Sequence, residues 1–430
     1  MDRSSEAVDK KPILQASNLA YKSVLQKKRN FGFTGATGLL GRNIVFEIIK
    51  QNLSNLSEIR IVIFGRSKSN YSLQKRIEEI FLNDGLFYLQ KPNDKTLLKE
   101  ILKVIYCVEF DFGSGKLDPS FSWVKSIDFD CFFHLAAMSD FRRSDGVKAK
   151  LFKANVKGTE AVVELIDSLS VGQVVYTGTA YSCGSESGLI QPEYTNLNGI
   201  FRNHYELTKL MGEKVVVDFS RKNNIPYKIF RPVGICGRAI EPVIGQISKY
   251  DLFYAWASFF VRLKMKEGYT EQTLYSEELK VKLRLECNTE YSLNVVPVDY
   301  AAKLLLEVSL SDFSSGHFHI CNDFEINNLI FLSAILNELK ITGVEFLKSR
   351  PRKSSQTELE KIYYKSVGEV FSDYLTMAPV KFDMSNLFTI KAAKELNGVP
   401  FSEDLLKQIV LFAKQNHFGV RFKTSTLAVV

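Results

Sequence analysis

Arg29-Asn-Phe-Gly-Phe-Thr-Gly-Ala-Thr-Gly-Leu-Leu-Gly41 is a short apolar run that ends in three evenly spaced glycines, Gly35, Gly38 and Gly41. An apolar helical pattern, Asn43-Ile-Val-Phe-Glu-Ile-Ile-Lys50, follows at once. A strand that feeds a tight glycine turn and then a helix makes an anion site. The helix N-terminus offers unpaired N–H groups and a partial positive charge, and glycine lets the backbone approach a pyrophosphate. The spacing is Gly-x-x-Gly-x-x-Gly, not the Gly-x-Gly-x-x-Gly of the common dinucleotide fingerprint. Alone, the stretch also fits an ordinary glycine-rich strand–helix turn, so its neighbours decide.

The next apolar run, Ser57–Gly65 with Ile-Arg-Ile-Val-Ile-Phe at its heart, reads as a fully buried strand of a parallel sheet. Many NAD-binding proteins place a carboxylate near this strand end to bond the ribose 2′-hydroxyl. Here the residues are Gly65-Arg-Ser-Lys68, with no carboxylate. Arg66, with Lys68 as a second candidate, suits a 2′-phosphate instead. That charge logic favours NADP(H) and leaves NAD(H) possible.

Strand and helix then alternate. Helix is expected over Tyr71–Phe81, strand over Lys103–Phe110, strand over Phe129–Leu135 and a long helix over Ala149–Leu169. Strand Gln173–Thr177, helix Tyr205–Ser220 and strand Tyr227–Phe230 follow, ending at Arg231-Pro232. Such spacing suits right-handed crossovers and a doubly wound parallel sheet, with binding at the carboxyl ends of its strands. From about residue 238 the alternation stops. Tyr250–Lys264 reads as an apolar helix, either core or a wall of an apolar substrate pocket. Asn294–Asp299, leading into a helix Tyr300–Val308, and a strand at His317–Cys321 are expected to rejoin the main sheet. The remainder from Glu325 reads as mostly helical, with a basic, serine-rich mobile loop at Lys348–Gln356. The expected division is an N-terminal extension at 1–29, partly helical around Leu14–Leu25, and a Rossmann-type domain at 30–238 to which 294–321 returns. A smaller, mainly helical substrate-binding region takes 239–293 and 322–430.

Composition sets bounds. With 45% hydrophobic and 24% charged residues, the chain is of ordinary globular type. No apolar run approaches the roughly 18–20 residues that span a bilayer, and the first 29 residues show no apolar signal core, so a cytoplasmic location is expected. Six scattered cysteines without C-x-x-C pairs point to reduced thiols, with Cys183 and Cys236 as small buried hydrophobes. The five histidines lack ligand spacing, and no metal site is expected. The formal charge of +8 includes clusters at Lys27–Arg29, at Arg142/Arg143 with Lys148, Lys150 and Lys153, and at Lys348–Lys353. They are not gathered into a nucleic-acid-binding module. They read as solvated faces, or as attraction for an anionic substrate such as a phosphopantetheine thioester.

The chemistry rests on Thr179, Tyr205 and Lys209. Thr179 sits just past the fifth strand, at its carboxyl end. Tyr205 and Lys209 are four apart on a helix and share one face. An ammonium beside a phenol favours the phenolate, so Lys209 is expected to lower the Tyr205 pKa and tune it for proton transfer. A threonine hydroxyl holds the carbonyl oxygen as hydride arrives. A second Tyr-x-x-x-Lys match, Tyr71 with Lys75, lies far from this place and reads as a chance pair on a solvated helix.

The set Thr34-Gly-Ala-Thr-Gly-Leu-Leu-Gly41, His134-Leu-Ala-Ala137, Asn155-Val-Lys-Gly-Thr159, Thr179 and Tyr205-x-x-x-Lys209 resembles the extended short-chain dehydrogenase/reductases. The resemblance covers about 30–235 and resumes around 294–321. It implies that Thr179, Tyr205 and Lys209 are the catalytic triad. The cofactor-binding set it implies is Gly35, Thr37, Gly38, Leu39, Leu40 and Gly41 around the pyrophosphate, Arg66, Asp111 and Phe112 towards the adenosine, and Ala136, Ala137, Asn155, Tyr205, Lys209 and Pro232 along the rest. Phe64-Gly-Arg-Ser-Lys-Ser69 with Leu73-Gln-Lys-Arg-Ile77, the aromatic Phe141, Arg202–Lys209 with Glu213, and Lys381–Asn386 look like the fatty acyl-CoA reductase and thioester reductase branch. Gly178 stands where that branch has serine, and 239–293 matches nothing in its pattern.

The expectation is therefore an NADPH-dependent reductase that takes an acyl thioester to aldehyde or alcohol, with an acidic acyl carrier protein as a possible partner and helix 250–264 helping to form the acyl pocket. One alternative on the same fold is a nucleotide-sugar epimerase or dehydratase, or an alcohol or ketone oxidoreductase. Another, of a different class, is a dinucleotide-binding sensor or scaffold without turnover.

Overall fold

A computed structural model describes residues 28–68, 71–396, 398–399 and 402–422. The helix expected at Leu14–Leu25 lies outside them. Strand β1 (Arg29–Thr34) runs into the glycine turn, and helix α1 (Leu39–Gln51) leaves it. Strand β2 (Ile59–Gly65), helix α2 (Leu73–Ile80), helix α3 (Lys95–Val104) and strand β3 (Ile105–Asp111) complete the first half. The second half holds β4 (Cys131–His134), α4 (Asp145–Leu151), α5 (Gly158–Asp167), β5 (Val174–Thr177), α6 (His204–Lys222) and β6 (Tyr227–Pro232).

These strands form one sheet in the order β3-β2-β1-β4-β5-β6, all parallel. It is the doubly wound order, with its switch point between β1 and β4. The β1 and β2 side chains are buried almost throughout, as continuous apolar runs with helices on both faces should be. Separate apolar clusters fill the two faces, one around Ile44, Ile61 and Leu304, the other around Val62, Val162 and Val216.

Helix α4 runs into α5 through a widened π-type turn, Phe152–Lys157, which carries Asn155. Of the strand expected at Phe129–Leu135, only Cys131–His134 joins the sheet; Asp128–Phe129 pairs with Ser170–Val171 instead. Tyr71 precedes α2 and exchanges backbone bonds with Lys68, so Tyr71 and Lys75 are not two positions of one helix.

Beyond β6 the chain forms β7 (Gly234–Cys236), α7 (Phe253–Lys266), β8 (Leu279–Glu286), β9 (Val295–Pro297), α8 (Val298–Leu310) and β10 (Gly316–Ile320). β10 adds to the main sheet beside β6 in parallel register, as expected. Residues 295–297 do not join it; they pair with β7. Helices α9 (Asn328–Glu338), α10 (Val367–Thr376) and α11 (Glu403–Gln415) follow, with strands β11 (Ile341–Leu347) and β12 (Val380–Phe382). β11 pairs with β8, so the carboxyl-terminal third is less helical than its sequence suggested. A third apolar cluster joins α7, β8, α9, α10 and α11. The α7 side chains Phe253, Trp256, Phe260 and Val261 are fully buried in it. Helix 250–264 is therefore built into this core, where its apolar residues meet those of α9, α10 and α11. Among the described residues, no helix is long and apolar enough to cross a membrane.

One carboxylate fixes how this second part leaves the sheet. Asp299, buried in the first turn of α8, accepts the backbone N–H groups of Ala239, Ile240 and Glu241, the last two at 2.7 Å. Asp299→Ala should destabilise the chain by about 2–4 kcal/mol in urea unfolding, because three donors, that of Glu241 buried, lose their acceptor at once. Asp299→Asn, which keeps one acceptor oxygen, should fall between variant and parent. Equal midpoints for Asp299→Ala and parent would show that water replaces the carboxylate.

Candidate active site

The glycine turn is built for close approach. Gly35 has φ +79, and a Cβ placed there would stand 2.5 Å from the Ala136 nitrogen. A Cβ on Gly41 would stand 2.4 Å from the Gly35 oxygen. The turn therefore abuts the end of β4, where Ala136 and Ala137 lie. Helix α1 begins at Gly38 with no side chain capping its first N–H groups, and Thr37 and Leu39 are half-buried while Gly38 is exposed. A cradle that any side chain would fill, with uncapped donors at a helix start, fits a dinucleotide pyrophosphate.

The adenosine end gathers more charge than the sequence motif suggested. Arg66 follows β2 and lies over the Phe112 ring, 5.9 Å from its centroid. Arg76 of α2 donates to the Arg66 carbonyl at 2.9 Å and to Thr37 Oγ1 at 3.0 Å. It thus joins the two loops and belongs with the expected set, from which it was missing. The signal lay in its spacing: α2 follows β2 so closely that its second turn returns to the strand end. Asp111 turns its carboxylate onto its own loop, accepting from Gly113 N–H at 2.9 Å and Ser114 Oγ at 2.8 Å. Those bonds, with a smaller contribution from Arg66, hold it below the usual carboxylate range.

Across the switch point, Thr179 ends β5 and caps the short turn Ala180–Cys183, accepting from Tyr181 N–H at 3.4 Å and donating to the Pro232 carbonyl at 3.5 Å. Tyr205 lies in the first turn of α6, which Asn203 caps by accepting from Glu206 N–H at 3.1 Å. Lys209 is buried one turn on, its ammonium 4.5 Å from the Tyr176 ring centroid. Thr179, Tyr205, Lys209 and Pro232 thus share the carboxyl end of the sheet with the glycine turn. Asn155 reaches the same region but serves the backbone. It accepts from Met138 N–H at 2.8 Å and donates to the Met138 carbonyl at 3.0 Å, pinning the stretch that follows Ala137. His134 bridges Thr34 Oγ1 at 2.7 Å and Thr159 Oγ1 at 3.0 Å, and burial lowers its pKa to about 3, so it is a neutral staple.

The electrostatics differ from expectation. Burial, followed by Asp251 and Glu206, raises the Tyr205 phenol above its ordinary value instead of lowering it. Burial lowers Lys209 to about 7, against an upward pull from Glu213. Desolvation governs both groups, and neither is among the charges that shift the other, so the expected phenolate does not arise. Asp251 comes from the segment before α7; it accepts from Ser139 Oγ at 3.3 Å and pairs with Lys249 at 2.5 Å.

Aromatic rings stand beside Tyr205. Phe141 meets it edge-on, with ring centroids 5.0 Å apart, and Tyr374 of α10 lies 6.0 Å from Phe141 and 5.2 Å from Tyr181. The Tyr374 hydroxyl donates to Glu206 Oε1 at 2.9 Å and accepts from Asn203 Nδ2 at 2.8 Å. Nothing in the sequence marks Tyr374, which lies 169 positions beyond Tyr205. A cleft of about 810 Å³ opens at this end of α6, lined by Arg143, Ile200, His204 and Asp373 among others.

A family model described as male sterility protein matches residues 33–305, and the chain belongs to that family. It is an extended short-chain dehydrogenase/reductase, a member of a family of NAD(P)-dependent enzymes. A component of the linear gramicidin synthase of Brevibacillus parabrevis is 22% identical over 354 residues, which is 79% of this chain and 6% of that protein. UDP-arabinose 4-epimerase 1 of Arabidopsis thaliana is 22% identical over 51% of this chain and 46% of its own length. The chain therefore spans less than half the length of these curated relatives. Among solved structures, the terminal R domain of the myxalamid PKS-NRPS biosynthetic pathway shares the fold with TM-score 0.66 at 19% identity, covering 91% of this chain and 92% of that one. UDP-glucuronic acid 4-epimerase from Bacillus cereus, in complex with NAD, has TM-score 0.56 at 14% identity, over 91% of this chain and 98% of its own.

The buried Lys209 gives a stability signature with a defined sign. Burial takes the folded lysine from 10.5 to about 7, so between those values the unfolded chain binds more protons than the folded one. That contribution to stability rises with pH across the window. Lys209→Met removes it. The stability gained by the variant over the parent should be largest at or below pH 7 and should shrink steadily towards pH 10, as read by urea unfolding. A difference that stays flat from pH 7 to 10 would sink the assignment.

Proposed function

We propose that this member of the male sterility protein family is an NADPH-dependent reductase that converts an acyl thioester, held on coenzyme A or on a carrier protein, to the aldehyde or alcohol. The observation that carries the reading is what surrounds Tyr205. Tyr205 stands in the first turn of α6, with Phe141 edge-on to it at 5.0 Å and Tyr374 and Tyr181 following in the same cluster of rings. An acyl chain is held by such rings through apolar burial, whereas a sugar ring asks for several polar groups. The relative within a gramicidin synthase and the R-domain fold support the same substrate class. Arg66 and Arg76 support the 2′-phosphorylated cofactor.

In this reading the bound dinucleotide supplies hydride. Gly35, Gly38 and Gly41 admit its pyrophosphate to the start of α1, while Ala136, Ala137 and Pro232 flank the rest. Thr179 and Tyr205 donate hydrogen bonds to the thioester carbonyl oxygen, which takes up negative charge as its carbon is attacked. Tyr205, whose burial keeps it protonated in the free protein, then delivers its proton to that oxygen to give a thiohemiacetal; on collapse the hydroxyl returns its proton to the tyrosinate and the thiolate leaves, giving the aldehyde. Lys209, poised near pH 7, stabilises the tyrosinate left behind. An acidic carrier would be drawn by Arg142, Lys148, Lys150 and Lys153, which are all exposed. A cytoplasmic location suits reduced thiols and a soluble thioester pool.

Purified protein with NADPH should reduce an acyl-CoA or carrier-bound acyl thioester. Tyr205→Phe should cut kcat by about 100-fold or more while leaving NADPH affinity within about twofold, since the hydroxyl acts mainly on developing charge. No turnover of any thioester by the parent defeats the reading. Tightly retained NAD with sugar-nucleotide turnover would point to an epimerase, and tight NADPH binding without turnover on a broad carbonyl panel would point to a sensor.

A further inference from the structure

Strand β3 brings a second carboxylate to the ribose end of the dinucleotide site. Glu109 pairs in register with Gly65, the last residue of β2, so its side chain reaches the turn that follows that strand. Its Oε2 accepts the Ser67 N–H at 2.9 Å, and its Oε1 accepts the Ser67 hydroxyl at 2.6 Å. Ser67 Oγ also accepts the Leu73 N–H at 3.2 Å, which ties the same turn to the start of α2. Arg66 precedes Ser67 directly, and Arg76 holds the Arg66 carbonyl at 2.9 Å. Two cations and one carboxylate therefore meet on a single turn.

Their pulls are opposite. A 2′-phosphate at this strand end is held by arginine and by free N–H and hydroxyl donors of the turn. A ribose 2′-hydroxyl is held by a carboxylate. Glu109 takes both donors that Ser67 offers and adds negative charge where a phosphate would bring about −1.5 to −2 more. Arg66 and Arg76 favour NADPH, and Glu109 opposes them. The residues after β2 show no carboxylate, because the opposing group arrives from the neighbouring strand, 42 positions later.

We propose that Glu109 is the specificity-determining residue of the cofactor site, offsetting Arg66 and Arg76 so that the chain takes NADH as well as NADPH. This rests on the dinucleotide-dependent reading above but not on the thioester. A residue that only shaped the turn would change both affinities together, so the ratio is the readout.

The test uses the full chain and titration calorimetry with NADP+ and NAD+, with no turnover required. The parent should bind both, within about 30-fold of each other, as expected when charge-assisted contacts partly cancel. Glu109→Gln should raise the preference for NADP+ over NAD+ by about tenfold or more, the size of one such contact. Glu109→Ala should move the ratio the same way. An unchanged ratio, with both affinities kept or both lost, overturns the proposal. So does a parent preference above about 1,000-fold, a result that needs no variant to fold. Binding of neither dinucleotide would remove the dinucleotide reading along with it. A shifted ratio in a protein that reduces no thioester would leave this inference standing and discard only the substrate.

Discussion

The catalytic end of the molecule depends on a buried ion pair. Glu213 lies one helical turn beyond Lys209 on α6, and Arg231 ends β6; neither is more than 2% exposed. Burying two charges costs more than their attraction returns unless every remaining donor and lone pair is used. Here they are used. Arg231 donates to both Glu213 oxygens, at 3.0 and 2.6 Å, and to the carbonyls of Pro192 and Tyr194 at 2.7 and 2.8 Å. His317 of β10 reaches Glu213 at 3.3 Å. Burial pushes the Glu213 carboxyl up, but Arg231 and His317 together more than offset this and hold it below the usual range. The pair thus sets the position of α6 against β6 and β10, and with it that of Tyr205 and Lys209 against Pro232.

The same desolvation that makes the ion pair costly shapes the proposed catalytic groups. In the free site Tyr205 favours its neutral phenol and Lys209 stands near pH 7. A neutral phenol and a lysine whose charge burial disfavours leave little standing charge in the site. Charge then develops there only as a proton moves, in a site whose donors are already in place. A lysine near the working pH also exchanges its proton at little cost. The expected phenolate would instead have placed a standing negative charge near Asp251 and Glu206, both of which disfavour it.

What was legible in the sequence was local. Gly35–Gly41, the apolar strands, Thr179 and the four-residue step from Tyr205 to Lys209 each declare themselves within a few positions, and the doubly wound parallel sheet followed from the alternation of strand and helix. β8 carries its signature in the sequence too. Leu279, Val281, Leu283 and Leu285 alternate with Lys280, Lys282, Arg284 and Glu286, a strand signature of period two inside a region that had no family pattern. Its partner β11 lay in a stretch taken as mostly helical. The contacts that position the site were not local. Arg238 meets Asn43 at 2.8 Å and Asp84 at 2.7 Å, and Asp299 caps residues 239–241, across gaps that no periodicity encodes. A charged residue in a loop reads as solvated until the fold buries it.

Tyr374 shows what such distance means for function. It comes from α10, within the third apolar cluster, yet its hydroxyl joins Glu206 and Asn203 at the first turn of α6. Glu206 also pairs with Arg202 at 3.0 Å, and the Arg202 guanidinium lies over the rings of Tyr181 and Tyr374, at 5.7 and 5.5 Å from their centroids. The start of α6 is therefore held by groups from both sides of the cleft, and Tyr205 follows Asn203 by two residues. A ligand that displaced Tyr374 would strip Glu206 of one donor and Asn203 of its acceptor, and both losses would fall on the turn that carries Tyr205. The carboxyl-terminal helices thus do more than line a cleft. Their fit against whatever occupies it is coupled through Glu206 to the orientation of the tyrosine, so a part of the chain beyond the family match is tied by hydrogen bonds to the part within it.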